Sequence, residues 1–413
     1  MTAAAATDTD GYVAFRYRDF RLHCAARLIM GIAMSMQAVA IGWYVYSVTK
    51  SPLALGLTGL STFLPSAFFA LFTGHVADTY NRRIIVTICF SIFAMASLGL
   101  LWVVLTGVTD VTPIYVFTTI GGTARAFSNP AAQSLTPNLV PKQHFANAVT
   151  WYSSAWSASR IVGPAIGGLV YILGPVVPFA IAFACFATAT LCVFMISTSG
   201  SAAQAGRGPI TWATLSAGLH FIWSRKVILG SISLDLVAVL FGGAVALLPV
   251  VAQDILHVGP WGLGLLRASP SIGAIVMGAA LAHWPIRGGA GKKMLIAVGC
   301  YGLATVFFGF SQHLFLSMAM LAAVGASDQI SVVVRHTMVQ AETPDEMRGR
   351  VAAVNSIFIS GSSDLGEFES GVTAAWWGTV PAIVFGGAAT LVLAATWAAI
   401  FPDLRNRDKL VEK

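Results

Sequence analysis

The sequence predicts an all-α membrane protein in which twelve spanning helices form two sets of six. Three observations predict it. Of the 413 residues, 56% are apolar and only 10% are charged, with a mean hydropathy of +0.77; an average soluble domain carries about 25% charged residues. Apolar runs of about 20 residues, the length a helix needs to cross the hydrocarbon core, recur along the whole chain. Glycines and prolines repeat at one fixed spacing between the two halves. This composition excludes an ordinary soluble enzyme. It also excludes a disordered chain, which needs low hydropathy and high charge.

In chain order the expected spans are 24–48, 53–73, 84–107, 112–137, 146–172 and 176–198, then 226–252, 259–284, 293–311, 314–338, 351–376 and 380–401. The first is preceded by 1–19, which lacks the apolar core of a secretory signal and so is no leader. Several spans contain Gly or Pro, which membrane helices tolerate when neighbours satisfy the freed backbone groups. The longest polar break, TSGSAAQAGRGPI, separates the sixth span from the seventh. The chain therefore divides into an N-terminal six-helix bundle (1–198), a cytoplasmic linker (199–225) and a C-terminal six-helix bundle (226–413). Within the linker, 210–224 is apolar with Trp212 and Trp223, the pattern of a helix lying at the membrane interface.

Cytoplasmic loops collect Lys and Arg. With the N-terminus inside, eighteen of the 24 basic residues fall in cytoplasmic loops, Arg16, Arg18, Arg21, Arg82, Arg83, Arg207, Lys409 and Lys413 among them, and only Lys50 falls outside. Both termini are therefore expected in the cytoplasm. The net charge of +7 reflects this topology and does not imply a nucleic-acid partner. Cys24, Cys89, Cys185, Cys192 and Cys300 form no CxxC pair, and each sits in or beside an apolar run, which reads as buried thiols without a disulfide framework or metal site.

The halves align at a constant offset of 203: Gly56 with Gly259, Gly59 with Gly262, Gly122 with Gly325, Pro141 with Pro344, Gly163 with Gly366 and Gly168 with Gly371. Repeats of this kind mark secondary transporters, with the substrate path between the repeats.

Two motifs point to a family. The loop after the second span reads Gly74-His-Val-Ala-Asp78-Thr-Tyr-Asn-Arg82-Arg83. It resembles the loop signature of the major facilitator superfamily, with Asn81 and Thr79 replacing its second Gly and a basic residue. The fifth span carries Ser159-Arg-Ile-Val-Gly163-Pro164-Ala-Ile-Gly167-Gly168, which resembles the antiporter signature of exporters in that superfamily, with Ser159 in place of the first Gly. The stretches ARAFSNPAAQSLTPNLVPKQHFANAVTWYSSAWSASRIVGPAIGG and RGRVAAVNSIFISGSSDLGEFESG are similar to the bacterial branch of enterobactin-type siderophore exporters and macrolide or multidrug efflux proteins. The resemblance implies a monomeric exporter of the inner membrane with the major facilitator fold. It further implies that Asp78 meets the start of the eleventh span, where a helix N-terminus favours a carboxylate, braced by Arg82 or Arg83. The Gly-Pro-Gly-Gly run would bend the fifth span and pack it tightly against the other half.

An ionisable residue inside a span is costly and is a functional candidate by default. Ten are present: Asp235, Asp328, Asp364, Glu367 and Glu369, with Arg27, Arg125, Arg160, Arg267 and Arg335. In the superfamily, spans 1, 4, 7 and 10 line the cavity, which implies that Gln37, Arg125, Asp235, Asp328 and Arg335 lie beside the path. Arg125 and Asp328 are related by the repeat offset, so they are expected to face each other. Asp364 and Glu367, three residues apart, share a helix face. Carboxylates this close do not all ionise easily, and a carboxyl that exchanges protons near neutral pH is what a proton-coupled exporter requires. Arg267 is an expected partner of Glu367 or Glu369, and Asp235, Asp328 and Glu367 are the candidate proton carriers.

The functional expectation is export of a small organic molecule, siderophore-like or drug-like, by alternating access and proton antiport. An importer or uniporter of the same fold is the alternative. No HExxH or GxSxG motif supports an enzyme. The nearest phosphate loop, IRGGAGKKM, has Ile286 where the first Gly belongs and Lys293 in place of Ser/Thr, so neither ATP nor another cofactor is implied.

Overall fold

The computed structural model describes residues 11–198 and 212–408. Their longer elements are all helices: α1 (Arg18–Thr49), α2 (Pro52–Thr79), α3 (Arg82–Thr106), α4 (Thr112–Leu135), α5 (Phe145–Tyr171), α6 (Val176–Phe194), α7 (Trp212–Ser224), α8 (Lys226–Phe241), α9 (Pro260–His283), α10 (Ala290–Phe310), α11 (Leu314–Glu342), α12 (Asp345–Trp377) and α13 (Thr379–Ile400). Among the described residues, twelve of these match the twelve expected spans, and α7 is the expected helix of the linker. The rest of that linker, 199–211, lies outside the described residues, as do Lys409 and Lys413.

Local chemistry fixes the helix ends. The Ser51 hydroxyl accepts the Ala54 N–H at 3.4 Å, and Pro52 opens α2, where its missing donor costs nothing. The Asn81 side chain caps α3 at the Arg83 N–H, and Gly107, at φ +65°, ends it. α1, α2, α11 and α12 overrun their expected spans toward the face that carries both described chain ends (the terminal face). Hydropathy marks where apolar surface stops, and helical hydrogen bonding continues into the polar turns beyond. The seventh span is broken. After α8, Gly242 and Gly243 interrupt it, and a 3₁₀ turn (Ala244–Leu247), one α-turn and a π-turn (Val251–Ile255) complete the crossing.

Among the described residues, nine crossings are long and apolar enough to span a bilayer on length and composition alone. α4, α5 and α12 fall short because they carry the polar load: Arg125 and threonines in α4, Arg160 and serines in α5, and Asp364, Glu367 and Glu369 in α12. Their partners are other helices, so their deficit in hydropathy is compensated within the protein.

α1 packs on α5 and α6, α2 on α4, and α3 on α4 and α6; in the second set α9 packs on α11, α10 on α11 and α13, and α8 on α12 and α13. Two extensive crossings join the sets, α2 against α12 and α5 against α9. They are equivalent under the 203-residue repeat, and both depend on missing side chains. A Cβ on Gly371 would lie 2.6 Å from the Gly56 Cα, and one on Gly168 3.0 Å from the Gly264 Cα. Both crossings sit toward the face opposite the terminal one (the far face). There a single apolar core draws on both sets, with Val39, Val45, Leu100, Phe179, Leu247, Leu263 and Leu321 among its members. In the terminal half, buried clusters belong to one set or the other: Phe20, Met30, Phe90 and Phe186 in the first, Leu234, Met294, Val334 and Met338 in the second.

The cysteines differ in part from expectation. Cys24 and Cys89 are buried, Cys185 and Cys192 half-buried, and Cys300 exposed. Apolar sequence context cannot separate a core-facing residue from an outward-facing one when both surroundings are apolar.

Candidate functional site

Where the two sets meet at mid-depth they enclose a cavity of about 230 Å³. Its walls come from α1 (Met34, Gln37, Ile41), α2 (Thr58, Gly59, Thr62), α3 (Phe93), α4 (Phe117, Thr118, Arg125) and α6 (Phe186) on one side, and from Ala246, Arg267 of α9, and Asp364 and Glu367 of α12 on the other. The mixture of apolar walls with few polar groups is that of a small-molecule site.

Charge crosses this cavity. The Arg125 guanidinium lies 4.0 Å from Asp364, with the arginine side chain 35% exposed and the aspartate 13%. Arg125 belongs to the first set and Asp364 to the second, so the pair bridges the seam. One turn along, Glu367 packs against Gly59 of α2, where a Cβ would lie 2.9 Å from the glutamate Cβ. Arg267 shares the cavity lining with Glu367 and reaches toward Gly42 of α1. Two polar atoms of the lining are buried without hydrogen-bond partners, Gln37 Oε1 and Arg267 Nε. One acceptor and one donor of the residues that line the cavity are thus left unsatisfied in this conformation. Glu369 points elsewhere, as its spacing from Glu367 dictates, and accepts a hydrogen bond from Ser370 at 3.4 Å.

Three residues expected beside the path lie outside this cavity lining. Arg335 is 2% exposed; its guanidinium pairs with Asp235 at 3.0 Å and donates to Asn355 Oδ1 at 3.1 Å. Both partners of Arg335 belong to the second set, so this is an ion pair within one bundle. Asp328 does not face Arg125. It shares a small void with Asp235 and Tyr301. The repeat offset relates depth along the helices, whereas which way α11 turns is set by its packing on α9 and α10.

The fifth-span motif makes two close helix crossings. Ser159, Gly163 and Gly167 lie against α1, with a Cβ on Gly163 falling 2.6 Å from the Ser35 Cβ and one on Gly167 2.9 Å from the Met36 Cα. Pro164 and Gly168 lie against α9, where a Cβ on Gly264 would meet the Pro164 carbonyl at 2.5 Å. In the other motif, Gly74 lies near the end of α2, and the Asp78 side chain lies outside the described residues. Arg82 donates to the carbonyls of Ala77 and Ser134, and Arg83 to that of Phe194. Guanidinium groups here cap the ends of α2, α4 and α6, where helix dipoles favour positive charge.

Sequence reasoning missed a cluster at the far face. Tyr46 donates to Asp254, Lys50 pairs with Asp254 at 3.7 Å and with Gln253 Oε1 at 3.0 Å, and Gln253 donates to the Trp43 carbonyl at 3.4 Å. Every one of these contacts joins the end of α1 to the π-turn after α8, across the two sets. The available signal was the repeat itself, since Lys50 and Gln253 are 203 residues apart.

A family model described as transmembrane secretion effector matches residues 9–412. The multidrug efflux pump Tap of Mycolicibacterium fortuitum is 25% identical over 397 residues, covering 93% of this chain and 95% of its own length. Macrolide efflux protein A of Streptococcus pyogenes is 24% identical over 362 residues, 85% of this chain and 88% of that protein. Among solved structures, a bacterial homologue of the human lysosomal transporter Spinster, in an inward-facing and occupied conformation, superposes with a TM-score of 0.72 at 15% identity, covering 97% of this chain and 99% of that one.

Proposed function

The chain belongs to the transmembrane secretion effector family, in the efflux branch of the major facilitator superfamily, and from that premise we propose that it exports a small organic molecule, siderophore-like or drug-like, by alternating access and proton antiport. That it is a multi-pass membrane transporter and not an enzyme follows from the family. The rest of the proposal is carried by one observation: a cavity lined by Arg125, Arg267, Asp364 and Glu367 lies at the seam between two repeat-related sets of helices, below a far face sealed by a common core. On this reading 1–198 and 226–413 are the two rocking units, joined through 199–225. The terminal face is cytoplasmic, in keeping with its Lys and Arg, and the substrate enters from it.

Asp364 and Glu367 are the proton-exchanging groups. Arg125 lies 4.0 Å from Asp364, and Arg267 lines the same cavity as Glu367, so a substrate that engages either guanidinium, or displaces a proton from either carboxyl, changes the cost of charging it. Protons and substrate then compete for the same few groups, which is the requirement for antiport.

The test uses inside-out vesicles with an acid interior and a compound that a deletion strain retains. The wild-type protein is expected to release lumenal protons when that compound is added. Glu367→Gln is expected to lower that release at least tenfold even at compound concentrations that saturate binding. Transport indifferent to the proton gradient would refute the coupling, and accumulation of less compound by the deletion strain would refute the direction.

A further inference from the structure

A second void, about 10 Å³, lies between α8, α10 and α11, apart from the substrate cavity. Its polar lining consists of Asp235, Asp328, Ser327, Ser331 and Tyr301. That volume holds one particle the size of a water molecule. Ser331 is 2% exposed, and its hydroxyl has no hydrogen-bond partner. The Tyr301 hydroxyl is committed to the Gly242 carbonyl at 3.1 Å, at the break that ends α8. The two carboxylates are not equally compensated. Asp235 is held by Arg335 at 3.0 Å. Asp328 makes no ion pair among the described residues, and Arg335 and Arg160 act on it only through space. The lining thus presents carboxylate and hydroxyl oxygens, no nitrogen donor, and one carboxylate without a direct counter-charge inside a membrane-embedded bundle, an arrangement that is costly unless a proton or a metal cation neutralises it. Oxygen-only surroundings suit a hard cation, and a single unmatched charge suits a monovalent one. Interrupted helices beside acidic groups are where transporters hold such ions.

We propose that this void binds one monovalent metal cation of sodium size, held by Asp328, Asp235 and Ser331, separately from the exported molecule. The assignment does not rest on the export reading, because it concerns binding to the purified protein.

The experiment measures the thermal unfolding midpoint of the full chain in detergent, titrated with sodium chloride against choline chloride at equal ionic strength and at several pH values. Retention of radioactive sodium by the wild-type protein is measured in parallel. A saturable, sodium-specific rise in Tm, with about one sodium retained per chain, is the expected result. Ser331→Ala is expected to weaken it tenfold or more, and Asp328→Asn to abolish it. If Asp328→Asn does not fold, the Ser331→Ala shift and sodium retention by the wild type decide the matter. No sodium-specific rise at any pH, a midpoint governed by pH alone, an equal rise with magnesium, or a sodium response that survives both substitutions would overturn the proposal.

Discussion

Gly168→Val is expected to leave the protein in the membrane and to remove at least nine-tenths of its transport. At this position α5 and α9 touch backbone to backbone: a Cβ would meet the Pro260 carbonyl and lie 3.0 Å from both the Gly264 and Trp261 Cα atoms. None of these atoms can swing away as the end of a side chain could. Overpacking of this kind costs about 1–3 kcal/mol. The cost falls on the arrangement in which the far face is sealed and is relieved when the two sets part there. A penalty of about 2 kcal/mol on one state shifts the balance of two states roughly thirtyfold. Gly371→Val, at the repeat-equivalent crossing with Gly56, is expected to do the same. Gly299→Ala is the control, because nothing lies within 4 Å of a Cβ there. Efflux rate normalised to protein in the membrane is the readout, and wild-type efflux from Gly168→Val would show that this crossing is not part of the cycle.

Asp235→Ala is expected to give the largest loss of stability. It strands Arg335, the largest of the fully buried side chains among the described residues, with the side-chain Oδ1 of Asn355 left to accept from it. Removing one partner of a buried pair costs about 3–5 kcal/mol, whereas replacing both by apolar groups of similar volume is often neutral or better. The double substitution Asp235→Leu with Arg335→Met is therefore expected to recover most of the midpoint lost by the single one. A double variant no more stable than Asp235→Ala would contradict the reading of Asp235 and Arg335 as one structural unit. The same pairing keeps Asp235 and Arg335 inside the second set, outside the lining of the seam cavity.

The fold was largely legible because its signals are additive. Apolar length located every span to within a few residues, except where a helix continued past the apolar zone, as α1 does back to Arg18. The glycine repeat announced two related halves, and the structure shows one of its pairs, Gly168 and Gly371, at equivalent contacts in the two crossings between the sets. The site was legible only in part. Asp364 and Glu367 share a face of α12, as their spacing requires; that this face meets the cavity while Glu369 turns away is set by the packing of α12 on α2. Which base meets which acid was not legible. Arg125 pairs with Asp364 and not Asp328, because a repeat offset fixes depth and leaves the rotation of each helix to tertiary packing. Asp254 was invisible for a different reason: one acid at the end of a span resembles any loop charge until Tyr46 and Lys50 are brought to it.

On the alternating-access reading proposed above, the far-face contact between α1 and the turn after α8 has to open in every cycle. The most direct measurement replaces Lys50 and Gln253, which meet at 3.0 Å, by cysteine (Lys50→Cys with Gln253→Cys), closes the pair with a short, reducible thiol cross-linker, and follows efflux before and after reduction. The account predicts rapid cross-linking of the double variant, efflux below one-tenth of the uncross-linked protein, and full recovery with reductant, with either single variant unaffected. Undiminished efflux through the cross-linked protein would contradict it.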